Sequence, residues 1–220
     1  MQKHKRESVL TVRLRTKLLI GITILIIALS LSGQKQHYYS GKLPEGKLPS
    51  FKLILLTEKN VFNLNEDIEI YVILKNEGWG GYISSGFFVA SYHSERIPKN
   101  NLTIEVWDSH GNKILPKEVP IYYPTFPYAG LDYFKPLGYR SLHGESIHLN
   151  EDGYFTFCFA KPGIYTIQAT LETECRKYIE ERIKVGAIKE NELGSDPKAT
   201  LEKYINGTFK SNTIQIEIQK

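Results

Sequence analysis

The feature that most constrains the fold of this chain is an apolar residue at every second position in four separate segments. The segments are residues 67–75, 101–107, 164–171 and 213–219. Successive side chains of a strand point to opposite faces of a sheet, so each segment has one apolar and one polar face. This pattern predicts half-buried antiparallel strands. The apolar faces carry Ile68, Ile70, Val72, Leu74, Leu102, Ile104, Val106, Tyr165, Ile167, Ala169, Leu171, Ile214, Ile216 and Ile218.

Five weaker apolar runs extend this pattern over most of the chain. They cover residues 51–56, 81–84, 87–91, 147–149 and 154–159. Between the runs stand the sequences Asn-Glu-Gly, Ser-His-Gly-Asn and Lys-Pro-Gly, which have the chemistry of tight turns. Seven to nine short antiparallel strands at this spacing predict an all-β chain folded as a β-sandwich.

One segment, residues 172–208, separates the last two predicted strands by more than a hairpin requires. Loops of that length are usually functional or lack fixed structure. Within this insert, Asp196 and Pro197 are suited to the start of a helix and Gly207 to its end. We therefore predict a short helix over 197–206. Residues 177–185 fit a helix and a strand equally well.

The N-terminal region has the features of an export signal. Residues 18–31 contain no charge and follow a block of basic residues. Such a combination is typical of a secretory signal peptide, here with cleavage before Gly33. The alternative is an uncleaved anchor over residues 18–33, although a helix of that length spans only about 24 Å of a ~30 Å hydrocarbon core. In both cases the positive-inside rule predicts an extracytoplasmic location for residues 34–220.

These features divide the chain into three parts. Residues 1–33 are the signal peptide or membrane anchor. Residues 34–50 contain proline and glycine without strand or helix periodicity and are predicted to be a flexible linker. Residues 51–220 form the predicted sandwich, including the insert.

The charge distribution argues against a nucleic acid as partner. Six of the 28 Lys and Arg residues, but only one of the 24 Asp and Glu residues, lie in residues 1–17. The rest of the chain therefore carries a net charge of −1. Nucleic-acid binding needs a basic face on the folded domain, which this balance does not supply.

Residues 51–220 resemble immunoglobulin-like exported β-sandwich modules. The resemblance rests on Asn-Glu-Gly at 76–78, the Gly-Asn turn at 111–112, Gly-Glu at 144–145 and Pro-Gly-Ile-Tyr at 162–165. The chain looks like the sandwich domain of secreted lysine-specific metalloendopeptidases and like the BsuPI-type proteinase-inhibitor domain. The resemblance implies that Tyr165 is a corner tyrosine, with its hydroxyl bonded to backbone and its ring in the core.

Motifs for catalysis and metal binding are missing from the sequence. A His-Glu-x-x-His zinc motif is absent, and His143, Glu145 and His148 have the wrong spacing for one. His148 is expected to face solvent because Ile147 and Leu149 point the other way. Neither a Gly-x-Ser-x-Gly elbow nor a phosphate-binding loop occurs. We therefore predict no enzymatic activity, no cofactor and no metal.

The two cysteines, Cys158 and Cys175, leave opposite ends of the strand predicted over 164–171. Eight strand residues span ~26 Å, whereas a disulfide needs Cα atoms within about 7 Å. A disulfide therefore requires the insert to fold back. The alternative is that Cys158 is a core thiol among phenylalanines and Cys175 a loop thiol.

The most distinctive segment is residues 121–139, with seven aromatic residues and three prolines. Tyrosine-rich loops supply rigid contact area for binding, but the same rings could instead cover an open end of the core. We predict a mixed arrangement. Tyr122, Phe126 and Phe134 are expected to be buried, and Tyr123, Tyr128 and Tyr133 to lie at the surface as candidate binding residues.

Asn101 and Asn206 each begin an Asn-x-Thr sequence and are candidate glycosylation sites. Together these observations predict a non-catalytic extracytoplasmic module that binds a protein or a cell-envelope ligand. A proteinase inhibitor that presents residues 122–139 or 172–199 to a protease is one alternative. An accessory domain of an exported enzyme system is another.

Overall fold

The computed structural model describes residues 48–84, 98–117, 130–150 and 155–220. Two α-helices lie in these ranges, α1 (Cys175–Lys184) and α2 (Pro197–Leu201), and short 3-10 turns at Leu131–Tyr133 and Glu190–Leu193. The strands in the same ranges are β1 (Phe51–Thr57), β2 (Val61–Asn63), β3 (Glu69–Asn76), β4 (Gly81–Ser84), β5 (Asn100–Asp108), β6 (Lys113–Ile114), β7 (Phe134–Leu137), β8 (Leu142–His148), β9 (Gly163–Glu174) and β10 (Asn206–Gln219).

The strands form an immunoglobulin-like β-sandwich, as predicted. One sheet has the order β1-β3-β8, the other has the order β2-β10-β9-β5-β6, and β4 pairs with β7 in a small third sheet. Two details differ from the prediction. The described ranges contain ten strands, because β2 and β6 have only three and two residues and are too short to show a period. In addition, β2 runs parallel to β10.

The apolar faces predicted from the alternation form the core. Val72 of β3 and Ile167 of β9 lie in different sheets, and each has 0% of its surface exposed. Both belong to a single cluster of buried residues. Ile214, predicted on the same face as Ile216, is only half-buried at the rim of that cluster.

Strand β10 is twice as long as predicted because an irregularity interrupts its alternation. The register against β9 shifts between Lys210 and Thr213. There the Asn212 side chain leaves its own sheet and bonds to β1, accepting from the Leu55 amide at 3.0 Å and donating to the Leu55 carbonyl at 2.9 Å. The Asn212 amide thus bonds to the opposite sheet. The irregularity breaks the alternation of apolar residues, so the sequence pattern predicted only the second half of the strand.

The strand predicted over 154–159 is wrong for the part that is described. Residues 155–159 make isolated backbone bonds, such as Phe157 N–H to the Leu149 carbonyl, instead of a ladder. Phe157 and Phe159 point into the core, which leaves Cys158 between them exposed. The assignment of Cys158 as the core thiol is therefore reversed, since it is Cys175 that is buried.

The insert is folded and packs on the sandwich. Strand β9 continues to Glu174, and residues 177–184 belong to helix α1. Helix α2 is shorter than predicted but starts as expected, because the Asp196 side chain accepts from the Ala199 amide at 3.0 Å. Ile179, Ile188 and Leu193 are buried, so the insert adds to the core.

The corner tyrosine is confirmed. The Tyr165 hydroxyl donates to the Lys161 carbonyl at 2.7 Å. Its ring is buried and meets Phe159 edge-on, with ring centroids 5.1 Å apart. Burial is also the main cause that raises the pKa of this phenol.

Several predicted features lie outside the described residues. These are the apolar helix of residues 18–33, the linker up to residue 47, and the strand at 87–91. Among the helices that are described, none has the length and hydrophobicity to cross a bilayer.

Candidate binding site

Two loops lie side by side where the chain passes between the three-stranded sheet and the small sheet. Residues 77–80 lead from β3 to β4, and residues 138–141 lead from β7 to β8. Because β3 pairs with β8 and β4 pairs with β7, both loops cross at the same place. This crossing brings together residues that are about sixty positions apart in sequence.

The buried amide of Asn76, the last residue of β3, holds both loops. Asn76 has 0% of its surface exposed. Its Nδ2 donates to the carbonyls of Trp79 at 2.7 Å, Leu137 at 2.9 Å and Gly138 at 3.2 Å, and its Oδ1 accepts from the amides of Gly78 at 3.1 Å and Ser50 at 3.2 Å. One side chain therefore satisfies backbone groups of both loops and of the segment before β1.

The loops also carry constraints of their own. A Cβ atom on Gly78 would lie 2.5 Å from the Ser50 nitrogen, so only glycine fits this close approach. Arg140 has a φ of 58°, the left-handed region that glycine favours. Its amide donates to the Asn76 carbonyl at 2.8 Å, which helps to hold that conformation.

The fixed loops present two aromatic rings and a guanidinium group at the surface. The rings of Trp79 and Tyr139 are stacked, with centroids 6.0 Å apart and an interplanar angle of 20°. The Arg140 guanidinium carbon lies 5.0 Å from the centroid of the Tyr139 ring, a cation–π contact. Tyr139 is 54% exposed and Trp79 is half-buried. We call Trp79, Tyr139 and Arg140 the aromatic platform.

A small cleft of about 180 Å³ lies beside the platform and is lined by Lys75, Glu77, Tyr139 and Arg140. The Lys75 ammonium and the Glu77 carboxylate form an ion pair at 2.8 Å. The hydrogen bond from Lys75, followed by its charge, lowers the pKa of Glu77. The cleft wall thus combines one ring face with two cations and one carboxylate.

The predicted aromatic segment contributes to this site through a residue at its end. Tyr139 is the last residue of the segment, whereas Tyr123 and Tyr128 lie outside the described residues. Tyr133 is half-buried and meets Phe134 edge-on at 6.0 Å, and Phe134 is buried as predicted. Sequence analysis missed Trp79 and Arg140. A large aromatic residue directly after the Asn-Glu-Gly turn is the signal that could have found Trp79.

The other candidate residues lie apart from the platform. Cys158 and Cys175 are both free thiols. Burial raises the pKa of Cys175 to about 11, which disfavours the reactive thiolate. Asn206 is exposed at the start of β10, while Asn101 is half-buried in β5.

His143, Glu145 and His148 were considered as metal ligands in the sequence, but they do not form a metal centre. In the described part of the chain, no group of three or more ligating side chains is arranged to hold an ion. His148 instead pairs with Asp67, with Nδ1 2.5 Å from Oδ2. Desolvation by burial lowers the pKa of His143, which favours its neutral form.

A second cavity, of about 250 Å³, lies at the opposite end of β3. There Asn150 links the neighbouring loop by accepting from the Ile68 amide at 2.8 Å. The two rings in its wall, Phe157 and Phe159, are buried in the core. The aromatic platform is the better candidate because its rings are accessible to a ligand.

No protein-family model matches the chain, and no curated protein matches it. Solved structures similar to it include the CARDB domain of the PF1109 protein from Pyrococcus furiosus, in complex with di-metal ions. That domain is 14% identical over 77% of this chain and 93% of its own, with a TM-score of 0.29. The beta-glucosidase from Listeria innocua, in complex with gluconolactone or with glucose, is 11% and 10% identical, with TM-scores of 0.29 and 0.26. Each of these two matches covers 78% of this chain but only 16% of the glucosidase. Likeness at this level concerns the fold alone.

Proposed function

We propose that this chain is a non-catalytic binding module of the extracytoplasmic space, either tethered by its N-terminal segment or secreted. It binds a cell-envelope ligand or a protein through the aromatic platform. The observation that carries this proposal is a stack of half-buried Trp79, exposed Tyr139 and exposed Arg140 on loops held by the buried amide of Asn76. Tryptophan, tyrosine and arginine are the residues that most often dominate binding energies at interfaces.

The rigidity of the site supports the same function. Full burial of a large apolar side chain stabilises a fold by roughly 1.5–3 kcal/mol, yet 54% of Tyr139 remains exposed. Its loop is fixed by backbone bonds to Asn76 on both sides, through the Arg140 amide and the Ser141 carbonyl. A pre-organised surface loses little entropy when a ligand binds.

The inhibitor alternative receives less support from the folded insert. A proteinase inhibitor needs a protruding loop, and residues 172–199 instead form the end of β9, helix α1 and a 3-10 turn with buried side chains. In the other candidate loop, 122–139, residues 122–129 lie outside the described ranges, and residues 130–139 include a 3-10 turn and strand β7. A role as accessory domain of an exported enzyme system is compatible with the same platform.

Co-sedimentation of the purified full-length protein with insoluble cell envelopes of its host tests the proposal. We expect the wild type to sediment and Tyr139→Ala to remain in solution. Val185→Ala is the matched control, because it truncates a side chain that is 71% exposed and distant in sequence from both loops. Equal sedimentation of Tyr139→Ala and the wild type would exclude the platform as the binding surface.

The proposed location has a test of its own. Protease added to spheroplasts of the host should digest a tag fused to the C-terminus of the chain. A cytoplasmic marker protein, protected in the same sample, shows that the membrane is intact. Full protection of the tag would contradict the extracytoplasmic location.

A further inference from the structure

The cleft beside the platform has the wrong lining for an apolar anchor of a protein partner. Hot spots of protein interfaces place an aromatic or aliphatic side chain in a desolvated apolar pocket. Here three of the four lining residues are charged, and Tyr139 supplies the single ring. With a volume of about 180 Å³, the open cleft holds one small polar unit of a ligand. The unit must offer a flat face to the ring and several polar groups to the walls.

The charges of the cleft favour an anionic occupant. Glu77 is already paired with Lys75, and the hydrogen bond from Lys75 lowers the pKa of Glu77, so this carboxylate stays charged at neutral pH. Within the described ranges no carboxylate forms an ion pair with Arg140, whose nearest ring contact is Tyr139. The cleft therefore has an excess of one positive charge. The planar guanidinium is the donor geometry that suits a carboxylate in a bidentate contact.

We propose that the aromatic platform binds a carboxylated saccharide, an inference that rests on the proposed binding function. The C–H face of one pyranose ring stacks on Tyr139, and its carboxylate accepts hydrogen bonds from the Arg140 guanidinium. Ring hydroxyls bond to Lys75 and Glu77, which offer a donor and an acceptor 2.8 Å apart. A single sugar ring is the polar unit with a flat apolar face that the cleft accommodates.

Binding of two oligosaccharides of equal length to the full-length protein tests this proposal by calorimetry. The probes are an oligomer of galacturonic acid and the neutral oligomer of galactose. We expect the wild type to bind the acidic oligomer about 10- to 100-fold more tightly, the factor that a charge-assisted hydrogen bond supplies. This preference should shrink as salt is raised from 0.05 to 0.5 M.

Two variants separate the roles of ring and charge. Arg140→Gly removes the guanidinium at a position whose positive φ suits glycine. It should therefore equalise the affinities for the two oligomers. Tyr139→Ala should lower the affinity for both by a similar factor. Val185→Ala should match the wild type in every measurement.

The outcomes distinguish failure of the ligand assignment from failure of the proposed function. Equal affinity of the wild type for both oligomers, or equal binding of oligoglutamate, would overturn the saccharide assignment. The saccharide assignment would also be overturned if protease treatment of the envelopes abolished the binding that depends on Tyr139. In each of those cases the platform remains a binding surface. Loss of all envelope binding that depends on Tyr139 would overturn the binding function as well.

Discussion

Two pairs of stacked rings each include a residue at or near β4, and their environments differ. Tyr82 stacks on Tyr204 with centroids 4.8 Å apart, and Phe134 meets Tyr204 edge-on at 5.0 Å. Tyr204 is only 6% exposed. Trp79 and Tyr139 stack at 6.0 Å, and Tyr139 is 54% exposed. The first pair is buried because one of its rings, Tyr204, belongs to the insert, which packs on the sandwich.

The buried pair is expected to contribute to stability and the exposed pair to binding. Rings buried around Tyr204 contribute through the area they remove from water. The exposed platform contributes little in that way, although Asn76 makes three hydrogen bonds to its loops and two more to Leu137 and Ser50. Variants of the two stacks should therefore have different phenotypes.

The largest expected effect is on the buried stack. Tyr204→Ala removes a buried ring and should lower the free energy of unfolding by about 3–5 kcal/mol. Tyr139→Ala loses the exposed stack on Trp79 and the contact with Arg140, so it should lower the free energy of unfolding by only about 1–2 kcal/mol. Urea unfolding followed by fluorescence measures both. Equal destabilisation by the two variants would show that the exposed ring belongs to the core.

Substitution of Asn76 should have the next largest effect on the free energy of unfolding, because this residue is buried and also holds the loops of the platform. Asn76→Ala leaves the backbone groups of two loops without their partner and should cost about 3 kcal/mol. Asn76→Asp keeps the shape but turns an anion toward three carbonyls, so it should cost as much or more. Both variants should also lose envelope binding at temperatures where they remain folded. Retained binding would mean that the loops are not held by this amide.

Alkaline pH offers a third way to test the buried region, through Cys175. Burial raises its pKa to about 11 in the folded protein, whereas in the unfolded chain the thiol ionises near its ordinary value. Between these values the unfolded state releases a proton that the folded state keeps. Stability is therefore lost as pH rises from about 9 to about 11, at up to about 1.4 kcal/mol per pH unit.

Two cysteine variants identify the source of this loss. Cys175→Ala should flatten the decline in urea midpoint between pH 9 and 10, whatever its effect at pH 7. Cys158→Ala removes the exposed thiol and should keep the wild-type slope. Burial also raises the pKa of Tyr204, which adds a further decline at higher pH in both variants. An unchanged slope in Cys175→Ala would contradict this assignment.

The sequence was sufficient for the sandwich because burial on one face leaves a period of two. This signal placed Val72 and Ile167 on buried strand faces and predicted the bounds of β4 without error. It failed at Asn212, where a side chain that crosses to the other sheet breaks the alternation. It also failed around Cys158, where the alternation is present but the ladder of hydrogen bonds is absent.

The site was harder to predict because it depends on contacts between distant segments. The tyrosine-rich composition pointed to the region of Tyr139 but not to its partners. Trp79 is brought beside Tyr139 only by the pairing of β4 with β7 and of β3 with β8. The central role of Asn76 was equally hidden, since a turn asparagine and a buried one look the same in sequence.

The smallest expected effect on stability is that of Arg140→Gly, and it is the sharpest test of the comparison. A left-handed conformation costs a residue with a side chain about 1–2 kcal/mol, which glycine avoids. Glycine loses roughly 0.5–1 kcal/mol through its greater freedom in the unfolded chain, and the exposed cation–π contact is worth about 0.5–1 kcal/mol. These contributions nearly cancel, so the urea midpoint should stay close to that of the wild type. Asn65→Gly is the matched control on a loop without the platform, because Asn65 is the other non-glycine residue of the described ranges with a positive φ, 67°. If Arg140→Gly instead destabilised the protein by more than 1 kcal/mol beyond Asn65→Gly, the arginine would be serving the fold. If stability is kept and envelope binding is lost, the left-handed backbone at Arg140 places its side chain for the ligand alone.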